Sequence, residues 1–489
     1  MNAGWTDRTA LIGASIFSVL SGIAVYFDFI WFALLPFLIL LSWWGMKRLD
    51  LFIGVILISV PLSLNLQEFS DTSLGLYMPT EPLLFLGLLI FVFRSLKGWP
   101  VDKRLLTHPI SIIVSLMMLW MVITTVTSVD PIVSLKFTIS RAWFVAGFFF
   151  FLGHIMLHKP KYRERMVMLM IFPLCIVIVY TLIRHSAFGF EKHAGHWVMK
   201  PFFKDHTSYG AVMAMFLPPA IALLSKRSRP ILTKVMLAIA TGIIALGLVF
   251  SFTRAAWVSL VVIAAIYAAM RFGFKLKTLL GIGVITLALV WTSKDSIIIE
   301  LQRNKQDSSD NLTEHVESIS NVSSDDSNLE RLNRWSCAIA LFKERPVTGW
   351  GPGTYQFVYA PFQKSDLKTI ISTNNADGGN AHSEYLGPLA EQGVLGALFV
   401  ILLMWWASKI GFRLWGKIKN LDDRNLAVSV YLGLMSYFIH GVLNNYLDTD
   451  KANAPFWGFL VLLVVLDIEL KQARDSRLLK STTQQSRIV

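Results

Sequence analysis

His382 stands in Asn380-Ala-His-Ser-Glu-Tyr385, immediately ahead of a long apolar run. An imidazole has an unperturbed pKa of about 6.5, so near neutral pH it can take a proton from a hydroxyl. At this place it could equally satisfy the free N–H groups of the helix that follows. Arg254, in Ser251-Phe-Thr-Arg254-Ala-Ala-Trp257, falls in a very short break between two apolar runs. A guanidinium at mid-membrane costs on the order of 2.5–3.5 kcal/mol on insertion scales, and less near a helix end, where it can snorkel. Guanidinium also pairs bidentately with phosphate oxygens, so Arg254 is either a snorkelling residue or a phosphate ligand. A second cluster, Lys200-Pro-Phe-Phe-Lys204-Asp-His206-Thr-Ser-Tyr-Gly210, precedes another apolar run, and Arg184 opens the same loop. With Arg331 and Arg334 these groups could line one outward-facing positive pocket, or each could be an ordinary solvated loop charge. Arg141 is a weaker member of the set. Asp448-Thr-Asp450 suggests a metal-binding pair, but no further ligand is adjacent, so no metal or cofactor is expected.

The elements that must hold these groups are apolar helices. The chain has 489 residues, of which 54% are hydrophobic and only 16% charged, with mean hydropathy +0.55. Soluble domains carry about 25% charge. Runs of about 20 apolar residues, enough to cross a bilayer as a helix, recur along the whole length. The alternating ten-residue pattern of a membrane β-barrel is absent. We read about 14 spans, near 9–27, 29–46, 51–66, 81–94, 109–128, 138–157, 166–184, 207–224, 231–251, 254–270, 276–293, 386–408, 427–446 and 453–470. The first run lacks a small-residue cleavage site and a second follows at once, so no cleavable signal is expected. Cys175 and Cys337 are too far apart to suggest a disulfide framework or a metal motif.

Lys and Arg give the orientation, because cytoplasmic loops hold their excess. With the N-terminus inside, most of the 45 Lys and Arg residues fall in the inner segments 47–50, 94–104, 158–165, 225–234, 271–277, 409–424 and the tail. Lys136, Arg141, Arg184, Lys192, Lys200, Lys204, Arg254 and Lys451 are the cations left in short outer loops or adjoining span ends. The formal charge of +13 is thus mainly an orientation signal, and a nucleic-acid partner is not expected. Both termini fall inside, and the polar stretch from Ser293 to Gly379 falls outside.

That outer stretch has two parts. Residues 305–328 are rich in Ser, Asp, Asn and Glu and read as a solvated insert. Leu329–Phe342 repeats apolar residues at helical spacing, and Arg345-Pro346 ends the pattern. A glycine-dense turn, Thr348–Tyr355, and a polar turn, Ser372–Gly379, lead to His382. The segments are therefore 1–184 (N-terminal spans), 185–293 (central spans with outer loop 185–206), 294–385 (outer loop domain), 386–470 (C-terminal spans) and 471–489 (tail).

Arg331-Leu-Asn-Arg-Trp335, Phe342-Lys-Glu-Arg-Pro346-Val-Thr-Gly349-Trp-Gly351-Pro-Gly353-Thr-Tyr355, Asn380-Ala-His382-Ser-Glu-Tyr-Leu386 and Glu391-Gln-Gly393-Val-Leu-Gly396 together resemble the bacterial O-antigen ligase and O-antigen polymerase superfamily. Ser251-Phe-Thr-Arg254 matches that family's arginine between two spans, and Phe202–Gly210 is similar to its motif opening the eighth span. The likeness covers about 200 to 400; the first 180 residues resemble the family only in hydropathy. It implies an all-α polytopic membrane protein of 12–14 helices with one large, partly helical periplasmic loop, in the bacterial inner membrane. It further implies a GT-C-like inverting glycosyltransferase that needs no metal ion. Such an enzyme passes a glycan from undecaprenyl diphosphate to an acceptor hydroxyl during lipopolysaccharide or other polysaccharide biosynthesis.

By the resemblance His382 is the base acting on the acceptor, and Arg254 and Arg331 hold the diphosphate. The family's further arginine has no clean match here; Arg184, Lys200 or Lys204 could replace it, with His206 beside them. The acceptor is lipid A-core for a ligase, or another glycan or a protein; a polymerase would join lipid-linked repeats. A flippase for lipid-linked oligosaccharides is the alternative from another class, but it would place its charges in a central cavity and need no large outer loop.

Overall fold

The structure is a computed structural model that describes residues 15, 17–22, 35–68, 76–98, 101–292, 326–368, 372 and 379–485. The solvated insert expected at 305–328 therefore lies outside the described residues, apart from 326–328, as do most of the first expected span and parts of the second. The chain forms two compact units, Met1–Phe52 and Ile53–Val489.

Numbering the helices of ten or more residues in chain order gives α1 (Leu35–Lys47), α2 (Leu49–Leu62), α3 (Thr80–Leu96), α4 (Pro109–Val126), α5 (Pro131–His158), α6 (Tyr162–Ser186), α7 (His206–Ser225), α8 (Ile231–Val249), α9 (Arg254–Arg271), α10 (Leu276–Thr292), α11 (Asp326–Glu344), α12 (Leu386–Lys417), α13 (Leu421–His440) and α14 (Asp450–Gln485). Eight of them, α4 to α9, α12 and the Asp450–Ser476 part of α14, are long and apolar enough to cross a membrane. The protein is a multi-pass, all-α membrane protein. Helices are the natural outcome, because in lipid every main-chain N–H and C=O must be satisfied within the segment.

Local signals set the helix starts. Asp130 caps α5 on the N–H groups of Ile132 and Val133, with Pro131 in the first turn. Asp205 caps α7 through the Ser208 N–H at 2.8 Å. Asn420 caps α13 on Asp422 and Asp423. The spans fall where the apolar runs do, with instructive differences. α5 begins at Pro131 rather than near 138 and contains a π-helical segment, Val145–Phe151. α12 and α14 run past their expected ends, to Lys417 and Gln485, because a helix need not stop where its apolar residues do. The run expected to end at 446 stops as helix at His440, and Gly441, Tyr446 and Leu447 bond to Glu384.

Within the second unit, α7 packs on α8 and α13, α9 packs on α13, and α4 packs on α12. α14 lies against α12, α13 and the π-helical segment, and its middle is completely enclosed. The ends that carry His206, Arg254, His382 and His440 meet at one side of this bundle.

Candidate active site

Helix α11 presents one face to the protein. Glu330, Asn333, Arg334, Cys337, Ala338 and Leu341 are buried at intervals of three and four residues. Cys337, Ala338 and Leu341 form a small core with Tyr355, Tyr359, Ala381 and Ala390, flanked by Trp350, Phe362 and Leu386. The outer segment is thus folded onto the start of α12. Arg334 is enclosed in it: Nε donates to Glu330 Oε1 at 2.6 Å, and the guanidinium lies 4.0 Å from the Tyr359 ring centre. Gly379 backs directly onto this group, since a Cβ there would lie 1.8 Å from Arg334 Nη1. Arg331 points to the neighbouring loop and donates to the Leu443 carbonyl at 3.3 Å.

α12 is broken about two turns after it begins, at Gly393, whose φ of 68° and ψ of −163° no helix contains. The break frees carbonyls that partners from two segments satisfy. Trp350 N–H donates to Ala390 at 3.1 Å and Gly351 N–H to Glu391 at 2.8 Å. The Trp120 indole donates to Gln392 at 2.9 Å. Irregular backbone at this depth survives only where protein groups replace the missing helical bonds.

His382 sits just before this helix in the left-handed region, with φ 48°. Histidine tolerates that region better than most side chains, but it stays there only when its surroundings fix it. Here they do. The His382 N–H donates to Asn380 Oδ1 at 3.1 Å, and its carbonyl accepts the Trp335 indole N–H at 3.3 Å. Burial first, then the charges of Arg331 and Arg334, lower the His382 pKa from 6.5 to about 4; Lys204 adds to this and Asp205 opposes it. The imidazole is therefore neutral at pH 7, and one ring nitrogen of a neutral imidazole carries a lone pair that can take a proton.

Glu384 fixes the other side of the loop. Its Oε1 accepts the Tyr437 hydroxyl at 2.5 Å and the N–H groups of Tyr446 at 2.8 Å and Leu447 at 2.9 Å. The Glu384 N–H in turn donates to the Gly441 carbonyl at 2.7 Å. The histidine loop and the 441–447 loop are one unit. The sequence motif contained Glu384 but assigned it nothing; a carboxylate at the head of an apolar span was the available signal.

The structure draws most of the expected residues together. His206 stacks on His196 with ring centres 4.3 Å apart, and Arg331 lies within electrostatic reach of it. The Thr253 hydroxyl donates to the His206 carbonyl at 2.8 Å, which brings the start of α9, and so Arg254, to the same end. His440 lies beside the main chain of Ala255 and pairs with Asn444 Nδ2 at 3.1 Å. Lys204 lines a cavity of about 300 Å³ beside the histidine loop. Arg184 and Lys200 are engaged differently. Arg184 donates to Tyr180 Oη, to the Val198 carbonyl and to the Lys200 carbonyl, and it stacks over Tyr180 and Trp197. Lys200 reaches Glu68 at 3.5 Å. His440 is an addition that the end of α13 supplies. Asp448 and Asp450 diverge: Asp448 opens on the cavity, whereas Asp450 is buried against Ser63 at 2.5 Å. Among the described residues no group of three or more His, Cys, Asp or Glu is arranged to hold a metal.

Residues 235–401 match a family model described as O-Antigen ligase. The match runs from α8 into α12 and includes Arg254, Arg331, Arg334 and His382; it supports the O-antigen ligase/polymerase superfamily. No curated protein matches the chain.

Proposed function

From that domain and the geometry around His382, we propose that the chain transfers a glycan from undecaprenyl diphosphate to an acceptor hydroxyl, as an O-antigen ligase whose acceptor is lipid A-core. The observation that carries this is a neutral, backbone-clamped His382 within electrostatic reach of Arg331 and Arg334. His382 takes the acceptor proton as the acceptor oxygen attacks the anomeric carbon. The bond from that carbon to the diphosphate oxygen breaks, and its electron pair leaves with undecaprenyl diphosphate. One displacement of this kind inverts the anomeric centre. Arg254 and Arg331 offset the charge that builds on the leaving group. The protein's own cations supply this stabilisation, so the proposed step calls for no metal ion.

The site lies on the periplasmic side in this proposal. α7, α9 and α12 begin at the site and α13 ends there, whereas Lys226 and Arg229, bound to Glu164 at 2.7 and 2.5 Å, mark the opposite end as basic. Reporter fusions at Asp307 and Lys417 check this. Activity of a periplasmic reporter at Lys417 instead of Asp307 would reverse it.

The decisive experiment incubates purified protein with a lipid-linked glycan and lipid A-core. Glycan on lipid A-core supports a ligase. Longer glycan on the lipid carrier makes the enzyme a polymerase. Translocation of the lipid-linked glycan without either product makes it a flippase.

A further inference from the structure

A cavity of about 300 Å³ lies beside the histidine loop. Asn380, Ala381, Ser383 and Glu384 line it, but His382 does not. Its volume is at the lower end of the about 300–1,000 Å³ usual for small-ligand sites. Its ionisable groups are Arg141 and Lys204 with Glu384, Glu391 and Asp448. Arg141 Nη1 reaches Asn453 Oδ1 at 3.4 Å, and its guanidinium lies 5.3 Å from the Phe137 ring centre.

Four amides, Gln356, Asn380, Gln392 and Asn445, also line it. Asn445 Oδ1 is buried and, among the described residues, has no hydrogen-bond partner. Such an atom is costly unless a ligand or solvent donates to it. Aromatic side chains complete the wall, with Tyr437, Phe456 and Trp457 on one side. Carboxylates and amides that exchange hydrogen bonds with hydroxyls, beside aromatic faces that meet C–H groups, are the chemistry that recognises a sugar ring. A wholly apolar occupant would leave the amides unanswered.

We propose that this cavity binds an uncharged saccharide unit of the glycan, adjacent to the unit that reacts at His382. The inference rests on the glycan-transfer reading. Lys204 and Asn380 connect the two places: both line the cavity, Lys204 acts on His382, and Asn380 holds its N–H. The glycan runs past them while its diphosphate stays with the arginines.

The test is equilibrium dialysis of the full-length protein with the reducing oligosaccharide released by mild acid from the host's lipid-linked glycan and tritium-reduced. Asn445→Leu and Gln356→Leu should each weaken binding at least tenfold without changing the melting temperature. His382→Ala should retain binding while losing transfer. Unchanged binding in both leucine variants overturns the cavity assignment and leaves the transferase reading intact. So does displacement of the oligosaccharide by undecaprenyl phosphate, with that lipid's own binding weakened by Asn445→Leu. Transfer that survives His382→Ala removes the base assignment, whatever the cavity binds.

Discussion

The Trp335 indole N–H donates to the His382 carbonyl at 3.3 Å, joining a helix of the outer segment to the proposed base. With Asn380 holding the His382 N–H, both polar groups of this residue's backbone are engaged while it sits at positive φ. Trp335→Phe keeps the ring and removes the donor. We expect transfer to fall about tenfold with about 1 kcal/mol or less of lost stability, the usual net worth of one hydrogen bond. His382→Ala should cost the full contribution of a general base, about 10²–10⁴-fold. Initial rates and thermal unfolding of the purified variants separate the two effects.

The pH profile carries a signature of the cations. In the free protein the acid limb of kcat/KM should lie near pH 4, where His382 takes its proton. A bound diphosphate offsets Arg331 and Arg334, so the acid limb of kcat, which reports the bound complex, should lie higher. Arg331→Gln should raise the limb of kcat/KM in the same direction. Identical limbs for both parameters and for the variant would show that the arginines do not set this pKa.

The same group links pH to stability. The folded value of about 4 lies below the ordinary 6.5, so between them the unfolded chain binds more protons. The contribution of His382 is therefore fully present above about pH 6.5 and is lost as pH falls through 4. His382→Asn should flatten that part of the stability curve, read by thermal unfolding at a series of pH values.

Glu384 brings three donors to one oxygen, and deleting it strands them in a buried place. An unsatisfied buried donor costs about 1–3 kcal/mol. Glu384→Ala should therefore destabilise by several kcal/mol, whereas Tyr437→Phe, which removes one donor and leaves the others paired, should cost about 1 kcal/mol. Equal effects would mean that the carboxylate does not tie the two loops.

Gly393 lets α12 break. A Cβ there would meet the Val347 carbonyl oxygen at 2.0 Å and would sit at φ 68°. Gly393→Ala should unfold the junction or cost more than about 2 kcal/mol, through strain and displacement of the Pro346–Val347 turn. Gly242, with open space around it in α8, is the control: Gly242→Ala should be neutral or slightly stabilising.

The sequence by itself determined the membrane class, the position of most spans, the helix before Arg345-Pro346 and the placement of His382 at a junction. These are local properties: apolar run length, helical spacing and a proline stop act within a few turns. It also contained Gly393 and Glu384, without any sign of what they do. Tertiary structure decided which groups meet. Packing of α11 on α12 brings Arg331 and Arg334 to His382, while Arg184, equally basic and equally eligible in the sequence, is engaged by carbonyls of its own loop. The Glu384–Tyr446 bond joins residues 62 positions apart. Charge, helical period and turn chemistry specify a segment, but a side chain's partner is chosen by the helices that pack against it. That choice depends on contacts between distant parts of the chain, which no local pattern encodes.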